Sequence, residues 1–173
     1  MTDSEGQQFK DFLAGCGDRM FRVALALTGG HHAAEDLLQE ALARTFARWR
    51  HVRGDPEAYV RRAMYHSQVT VWRRRGRLRE VPASQVPDRA DPRDETEASE
   101  SRLQLQQALM RLGPRQRAVL VARFFEDLSD VETARVLGCS ASTVRSQTHR
   151  ALARLREIAP ELGGLNTFRE SVK

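Results

Sequence analysis

The segment that most limits the fold is LSDVETARVLGCSASTVRSQTHRALARLRE, residues 128–157. Its apolar spacing predicts two short helices, one capped by Ser129 and one by Ser140, with Gly138 in the turn between them. Glu132, three residues after Ser129, completes a capping box. Two helices joined by a short turn containing glycine form a helix-turn-helix, whose second helix enters the major groove of DNA. The segment therefore predicts DNA binding.

The second helix of this motif carries polar residues on its outward side. The inward positions are Val144, Thr148 and Ala151, and the outward ones are Ser142, Thr143, Arg145, Ser146 and His149. Residues in the first turns of such a helix meet base edges, so Arg145 is predicted to bind guanine. Arg150 and Arg154 lie further along and suit phosphates. The alternative is a helical bundle with a basic surface, but the two caps, the turn and the inward pattern agree on a DNA-binding motif.

Basic charge is concentrated in two separated places along the 173 residues. Residues 61–79 contain seven arginines and no acid, and residues 141–156 contain four arginines and no acid. The net charge is +5. This distribution favours an acidic partner, most simply nucleic acid.

Several other classes of protein are disfavoured. Cys16 and Cys139 are far apart and form no CxxC pair, which predicts neither a disulfide framework nor a zinc site. The N-terminus lacks a signal-peptide pattern, and no apolar run approaches the roughly 18 residues of a membrane span. The GxxxxGK[ST] loop that binds nucleotide phosphates is missing as well. We expect a reduced cytoplasmic protein without membrane insertion, metal or cofactor.

Helical periodicity along the rest of the chain predicts an all-α fold. The predicted helices cover residues 9–27, 31–49, 57–75, 101–112, 115–125 and 129–137, followed by the one from Ala141. Gly15 and Gly17 are a predicted break in the first helix. Val131, Ala134 and Leu137 are predicted core positions of the helix at 129–137.

The composition predicts two small helical domains joined by a flexible linker. Residues 78–100 are rich in acids and contain three prolines, which is typical of a mobile connection. The predicted division is a first domain at 1–77, the linker at 78–100, a second domain at 101–160 and a tail at 161–173.

A second candidate nucleic-acid surface lies on the predicted helix after Pro56. Trp72 is followed by Arg73, Arg74 and Arg75, and Tyr59, Tyr65 and His66 lie upstream on the same helix. Cations mixed with flat rings suit a nucleic-acid strand with exposed bases. A solvated charge run is the alternative, which the presence of a second DNA-binding motif makes weaker.

The helix at 31–49 has a polar face formed by Asp36, Gln39, Glu40, Arg44 and Arg48. Composition alone favours a solvated face with ordinary pairs such as Glu40 with Arg44. The alternative is a docking face for a protein partner.

Two segments resemble the bacterial RNA polymerase sigma factors of the small extracytoplasmic-function (ECF) class. They are AAEDLLQEALARTFARW, which starts at Ala33, and LGPRQRAVLVARFFEDLSDVETARVLGCSASTVRSQTHRALARLR, which starts at Leu112. Residues 8–77 resemble sigma region 2, and residues 101–157 resemble sigma region 4. The resemblance implies a non-catalytic subunit that directs RNA polymerase to promoters and helps open the DNA.

The resemblance also implies partners and residue roles. The resemblance implies that Asp36, Gln39, Glu40 and Arg44 dock on the clamp helices of the largest polymerase subunit. It therefore favours a docking face over the solvated face that composition alone favoured. The flap of the second subunit is a further expected contact. Binding of the promoter −10 element, with a flipped base in the pocket at 51–55, falls to His51, Arg53, Asp55, Arg61, Arg62, His66, Trp72, Arg73, Arg74 and Arg75. Binding of the −35 element falls to Ser142, Thr143, Arg145, Ser146, His149 and Arg150.

The sequence departs from the family pattern at two positions, with His66 where Asn is usual and Tyr59 where Trp is usual. These departures bear on which base is flipped. The family implies an anti-sigma protein that clamps both domains, and a monomer is the simplest expectation for the free chain.

Two other functions compete with this one. A free-standing helix-turn-helix regulator would explain residues 128–157 but leaves the polar face at 33–49 without a role. A metal-dependent phosphodiesterase would have to use His31, His32, His66 or His149, which form no ligand set at a usual spacing.

Overall fold

A computed structural model describes residues 3–77 and 97–160, and the side chains of residues 4–70 and 102–160 among them. The helices are α1 (Asp3–Thr28), α2 (His31–Ala47), α3 (Pro56–Arg77), α4 (Glu97–Met110), α5 (Pro114–Leu120), α6 (Asp130–Leu137) and α7 (Ala141–Ile158). A 3₁₀ turn at Trp49–His51 follows α2, and a π-helical turn at Val121–Phe125 continues α5. Within the described ranges the chain contains no strand, and the predicted all-α class is confirmed. None of these helices is long and apolar enough to cross a membrane.

The ends of α1, α3 and α4 test the predicted boundaries. Helix α1 runs without interruption through Gly15 and Gly17, so the predicted break is wrong. Each glycine costs a helix about 1 kcal/mol, but the continuous helix buries Met20 and Leu27 in the core. Helix α3 begins at Pro56, one residue before the predicted start at Glu57, and α4 begins at Glu97, inside the stretch predicted as linker. The rest of that linker and the tail from residue 161 lie outside the described residues.

The first three helices pack side by side, α1 on α2 and α2 on α3. Their apolar faces meet in residues that are at most 5% exposed: Met20, Val23, Leu27, Ala34, Leu37, Ala41, Val60 and Met64. A group of aromatic rings closes one end of this unit, where Phe9 contacts Trp49 edge to face with 5.0 Å between the ring centroids. The ring of Trp49 thereby fixes the turn that leads into α3.

The last three helices enclose a small core of their own. Val119 of α5, Ala134 of α6 and Val144 of α7 form a buried cluster at the centre of the predicted helix-turn-helix. The predicted core position at Val131 is wrong, because its side chain is 53% exposed. The α6 position that is fully buried is Thr133. In a helix of only eight residues the spacing of apolar residues does not define the inward side.

The two helical units also pack against each other. Helix α3 contacts α5 and α6, and α1 contacts α4. A single hydrophobic cluster includes residues from both units, with Met64 and Tyr65 on one side and Leu105, Leu109 and Leu120 on the other. The sequence predicted two domains but did not indicate that their hydrophobic cores are continuous.

Candidate nucleic-acid and partner interfaces

The helix-turn-helix is built by local hydrogen bonds that follow from its sequence. Ser129 and Glu132 form the predicted capping box: the Glu132 amide donates to Ser129 Oγ at 3.2 Å, and the Ser129 amide donates to the Glu132 carboxylate at 2.8 Å. Hydrogen bonding of its carboxylate to the side chain of Ser129, and then to the Ser129 amide, lowers the pKa of Glu132. Gly138 ends α6 in the left-handed region at φ 66°. Ser140 caps α7 by accepting the Thr143 amide at 3.1 Å. Both predicted caps and the predicted turn are therefore confirmed.

The first turns of α7 present polar groups outward. Ser142, Arg145, Ser146, His149 and Arg150 are exposed, as predicted. Thr143 is only partly exposed, and its hydroxyl lies 2.8 Å from Ser140 Oγ within the cap. The side chain of Arg145 is 64% exposed, and its guanidinium is 3.8 Å from the Asp130 carboxylate. So loose and exposed an ion pair leaves Arg145 available for a base or a phosphate.

The polar side of α2 faces solvent. All four residues predicted to dock on a protein partner, Asp36, Gln39, Glu40 and Arg44, are exposed. Glu40 forms an ion pair with Arg44 and also accepts the Ser67 hydroxyl of α3 at 3.0 Å. Glu40 is therefore held by two partners, whereas Gln39 and Asp36 are free to meet a partner protein. Exposure alone is compatible with docking and with a solvated face.

A positively charged groove lies between α2 and α3. It has a volume of about 590 Å³, and its lining residues are Arg44, Ala47, Arg48, Tyr59, Arg62, Ala63 and His66. Three guanidinium groups and two flat rings face this space, and none of the lining residues is acidic. Cations attract a phosphate backbone, and rings stack on an unpaired base. The groove therefore fits a single nucleic-acid strand.

The groove combines Tyr59, Arg62 and His66, which the sequence predicts to meet nucleic acid, with Arg44 and Arg48 from the polar face of α2. Arg44 and Arg48 are four residues apart on α2, and Tyr59, Arg62 and His66 are three and four residues apart on α3. These spacings place each set on one helix face. The spacing was visible in the sequence, but the pairing of the two faces depends on how α2 packs against α3.

The loop at 51–55 exposes His51, Arg53 and Asp55. Gly54 adopts φ 84°, a left-handed conformation that favours glycine, and so allows the tight turn. The Asp55 carboxylate accepts the Glu57 amide at 2.9 Å and therefore caps α3 ahead of Pro56. The structure thus gives Asp55 a helix-capping role, while His51 and Arg53 are free to contact DNA.

Two residues of α3 that were predicted to meet nucleic acid face the second helical unit instead. Tyr65 is 0% exposed, so it cannot stack on a base in this arrangement. Arg61 is 18% exposed and pairs with Glu57 at 3.1 Å and with Glu126 at 2.5 Å. Burial lowers the pKa of Arg61, but the hydrogen bond and charge of Glu126 outweigh it and the pKa is raised. The sequence pattern did not predict the ion pair between Arg61 and Glu126, because the two residues are 65 positions apart in the chain.

The side chains of Trp72, Arg73, Arg74 and Arg75 lie outside the described residues, although α3 extends to Arg77. Their contribution to DNA binding stays a prediction from the sequence. The backbone places them on the same helix as Arg62 and His66, one or more turns further on.

Among the described residues, His31, His32 and Glu35 bring their ligand atoms within 4.8 Å of one another. Spacing alone predicted no such set. His31 and His32 begin α2, Glu35 lies one turn further on, and both imidazole rings approach the Glu35 carboxylate at 3.4 Å. The N-terminus of a helix disfavours a cation, and both histidines are exposed. Ordinary pairing of the carboxylate with the imidazoles accounts for the cluster.

A basic helix-turn-helix in one unit and a positively charged groove in the other define a two-domain DNA-binding protein. Sequence comparison gives the family: the profile of Sigma-70 region 2 matches residues 13–78, and that of Sigma-70, region 4 matches residues 102–155. The chain belongs to the ECF class of sigma-70 RNA polymerase sigma factors, which are the promoter-recognition subunits of that enzyme. The matches cover both units, whereas a free-standing regulator would account for the second alone.

Relatives of known name span nearly the whole chain. The RNA polymerase sigma-E factor of Streptomyces antibioticus is 43% identical over 159 residues, which are 91% of this chain and 87% of the relative. The ECF sigma factor SigL of Mycobacterium tuberculosis is 34% identical over 83% of this chain and 84% of its own length. The sigma factor RpoE of Bartonella quintana, solved with the anti-sigma factor NepR, is similar in fold, with a TM-score of 0.70. At 22% identity, over 89% of this chain and 98% of that one, the likeness concerns the fold alone.

Proposed function

We propose that this sigma factor divides promoter recognition between its two units. The outward face of α7 reads the −35 element as duplex DNA. The groove between α2 and α3, with His51 and Arg53 of the adjoining loop, binds the −10 element as an opened strand. Asp36, Gln39, Glu40 and Arg44 dock on the clamp helices of the largest polymerase subunit, and the second unit contacts the flap of the second subunit.

The observation that carries this proposal is the difference in chemistry between the two basic surfaces. The α7 face presents an arginine, a histidine and hydroxyls on one convex helix, which suits the major groove of duplex DNA. The other surface is concave and lined by rings and guanidinium groups, which suits unpaired bases and their phosphates. Taking a base out of the stack costs a few kcal/mol, which stacking on a ring such as Tyr59 offsets.

The remaining expectations concern partners and location. The chain acts in the cytoplasm, as a monomer when free, and has no catalytic site of its own. An anti-sigma protein restrains it, a proposal supported by the complex in which the fold relative from Bartonella was solved. Co-purification of the tagged chain from its own cells tests that partner, and recovery of the chain without a bound protein other than polymerase would contradict it.

Reconstitution with core RNA polymerase tests the function. Core plus the chain should produce run-off transcripts from specific genomic promoters, and core alone should not. A protein that binds duplex DNA tightly by itself but yields no promoter-dependent transcript with core would refute the proposal.

A further inference from the structure

Helix α1 contacts both ends of the loop at 51–55. Before the loop, Arg50 donates to the Glu5 carboxylate through two nitrogens, at 2.6 and 3.1 Å. After the loop, the Nε of Arg19 donates to the Glu57 carboxylate at 3.0 Å. The charges are reversed between the two pairs, since α1 supplies the acid in the first and the base in the second. One helix is therefore attached to the chain on each side of the loop.

The two points of attachment on α1 are well separated. Glu5 and Arg19 are 14 residues apart, which is about 21 Å along a helix. The helix between them is uninterrupted. Both ion pairs are bidentate, and bidentate pairs of arginine and carboxylate fix direction as well as distance. Two such anchors on one rigid helix fix the orientation of the loop more closely than one anchor does.

An aromatic contact supports the first anchor. Phe9 of α1 contacts Trp49 edge to face, with 5.0 Å between the ring centroids. Trp49 and Arg50 are adjacent, so the ring and the ion pair hold the same 3₁₀ turn, which ends at His51 where the loop begins. Glu5 and Phe9 precede the part of the chain that matches sigma region 2, which begins at residue 13. This support therefore comes from outside the matched region.

The loop itself has little internal support. Among the described residues, the amides of Arg53 and Gly54 donate to no backbone carbonyl. The side chains of His51 and Arg53 are exposed. No atom of a non-adjacent residue lies within 4 Å of the place where a Cβ on Gly54 would be. Backbone with so few contacts samples many conformations unless its ends are held, and ordering it on binding weakens affinity.

We propose that Glu5 and Arg19 are positioning residues for the −10 element, and that by fixing both ends of the loop at 51–55 they prepare it to bind one unpaired base. This inference rests on the proposed function. The loop makes the contact through His51 and Arg53, and the two positioning residues do not touch the strand. A loop that is already ordered loses less conformational entropy on binding, so loss of an anchor should weaken recognition of that one base.

Ordinary surface ion pairs are the alternative. Such pairs contribute little to stability and nothing to base recognition. The two explanations differ in sign at Glu5. Removing an acid near DNA strengthens binding to every sequence, whereas removing an anchor weakens the recognition of one base. Glu5→Ala is therefore the informative variant, and Asp11→Ala is its matched control, because it removes the same charge from an exposed position of the same helix.

The second anchor is removed by Arg19→Ala. This change leaves no charge without a partner, because Glu57 also pairs with Arg61 at 3.1 Å. Its matched control is Arg22→Ala, which removes the same charge from an exposed position of α1. None of the changed residues belongs to the docking face of α2, so affinity for core polymerase should be the same in all four variants.

Hydrogen exchange on the free chain reports the anchors without DNA. The His51 and Val52 amides donate to the Arg48 carbonyl at 2.8 and 3.2 Å. These two amides should exchange faster in Glu5→Ala than in Asp11→Ala, and the amides of α7 should exchange equally in both. Equal exchange of the His51 and Val52 amides in the two variants would show that the ion pair does not hold the loop.

Binding of reconstituted holoenzyme to promoter fork DNA measures the recognition of single bases. The fork has a duplex −35 element and an unpaired non-template strand through the −10 element, in which each nucleotide in turn is replaced by an abasic one. The ratio of affinities for the intact and the abasic fork gives the contribution of that base. Arg53→Ala identifies the position that the loop binds, and Arg62→Ala identifies the positions that the groove binds.

Glu5→Ala and Arg19→Ala should each lower the affinity ratio at the loop position by about twofold to fivefold, the range that a partly exposed ion pair supplies. The ratios at the groove positions should not change, and both controls should leave every ratio unchanged. Exchange of the charges, Glu5→Arg together with Arg50→Glu, should restore the ratio that Arg50→Glu alone lowers. Circular dichroism checks that each variant is helical.

Three results would overturn the proposal or its basis. Ratios in Glu5→Ala that equal those in Asp11→Ala at every position overturn it, whether or not overall affinity rises. If the exchange of charges does not restore the ratio, Arg50 binds phosphate directly and the first anchor is wrong. An unaltered holoenzyme whose binding depends on no base of the −10 element contradicts the proposed function itself, and faster exchange of the loop amides in Glu5→Ala distinguishes that failure from a failure of the anchors.

Discussion

Arg145→Ala should remove the recognition of one base of the −35 element. In the free protein the side chain is 64% exposed, and its ion pair with Asp130 is 3.8 Å long, so its loss costs less than about 1 kcal/mol of folding stability. A bidentate contact between arginine and guanine contributes about 1–3 kcal/mol of discrimination. Preference at one promoter position should therefore fall by roughly fivefold to 150-fold, because each 1.4 kcal/mol is tenfold in affinity.

The assay is binding of reconstituted holoenzyme to promoter duplexes that carry each of the four bases at each −35 position. Arg154→Ala is the control: Arg154 lies on the same helix, is 56% exposed and should touch only phosphate. It should weaken binding to all duplexes alike and reduce the salt dependence. If Arg145→Ala also weakened every duplex equally, Arg145 would be a phosphate contact and the assignment of base recognition to this turn would be wrong.

Three further predictions concern docking and stability. Gln39→Ala should weaken binding to core polymerase in pull-downs and leave duplex binding unchanged, and Asp11→Ala, at an exposed position of α1, is the control. Loss of both activities in Gln39→Ala would argue against separate surfaces. Thr133→Val should raise the free energy of unfolding by about 1 kcal/mol, because the buried Thr133 hydroxyl has no hydrogen-bond partner among the described residues. Thr45→Val should not, because Thr45 donates to the Ala41 carbonyl at 2.8 Å, and urea titrations of both compare the effects. Hydrogen bonding to Ser129 lowers the folded-state pKa of Glu132, so its stabilisation is present above its unfolded pKa and is lost as the pH falls through the lowered value. Stability curves of Glu132→Gln and the unaltered chain should thus converge in acid, and a constant difference at every pH would contradict the capping role.

Local rules predicted the parts of the site that depend on neighbours in sequence. Ser129, Glu132 and Ser140 cap their helices as predicted, and Gly138 takes the left-handed turn. In each case the interacting groups are within a few residues, so residue type and spacing are sufficient. The outward face of α7 follows from the same periodicity.

The structural features that the sequence did not predict depend on packing between residues far apart in the chain. Helix α1 continues through Gly15 because the buried residues after it outweigh the cost of a glycine. Tyr65 was predicted to meet nucleic acid from its basic and aromatic surroundings, and Arg61 from the family resemblance. They turn to Glu126 instead, 61 and 65 residues away. No pattern of residue types predicts such a partner, since it depends on how two separately patterned units meet.

Site-specific photocrosslinking in the open promoter complex tests most directly whether the two helical units bind different promoter elements. The crosslinking amino acid p-benzoylphenylalanine replaces His149 in one variant and Arg62 in another, both exposed and on different units. The His149 position should crosslink to the −35 element, and the Arg62 position should crosslink to the non-template strand of the −10 element. Crosslinks from both positions to the same element, or from the Arg62 position to duplex DNA near −35, would contradict this prediction.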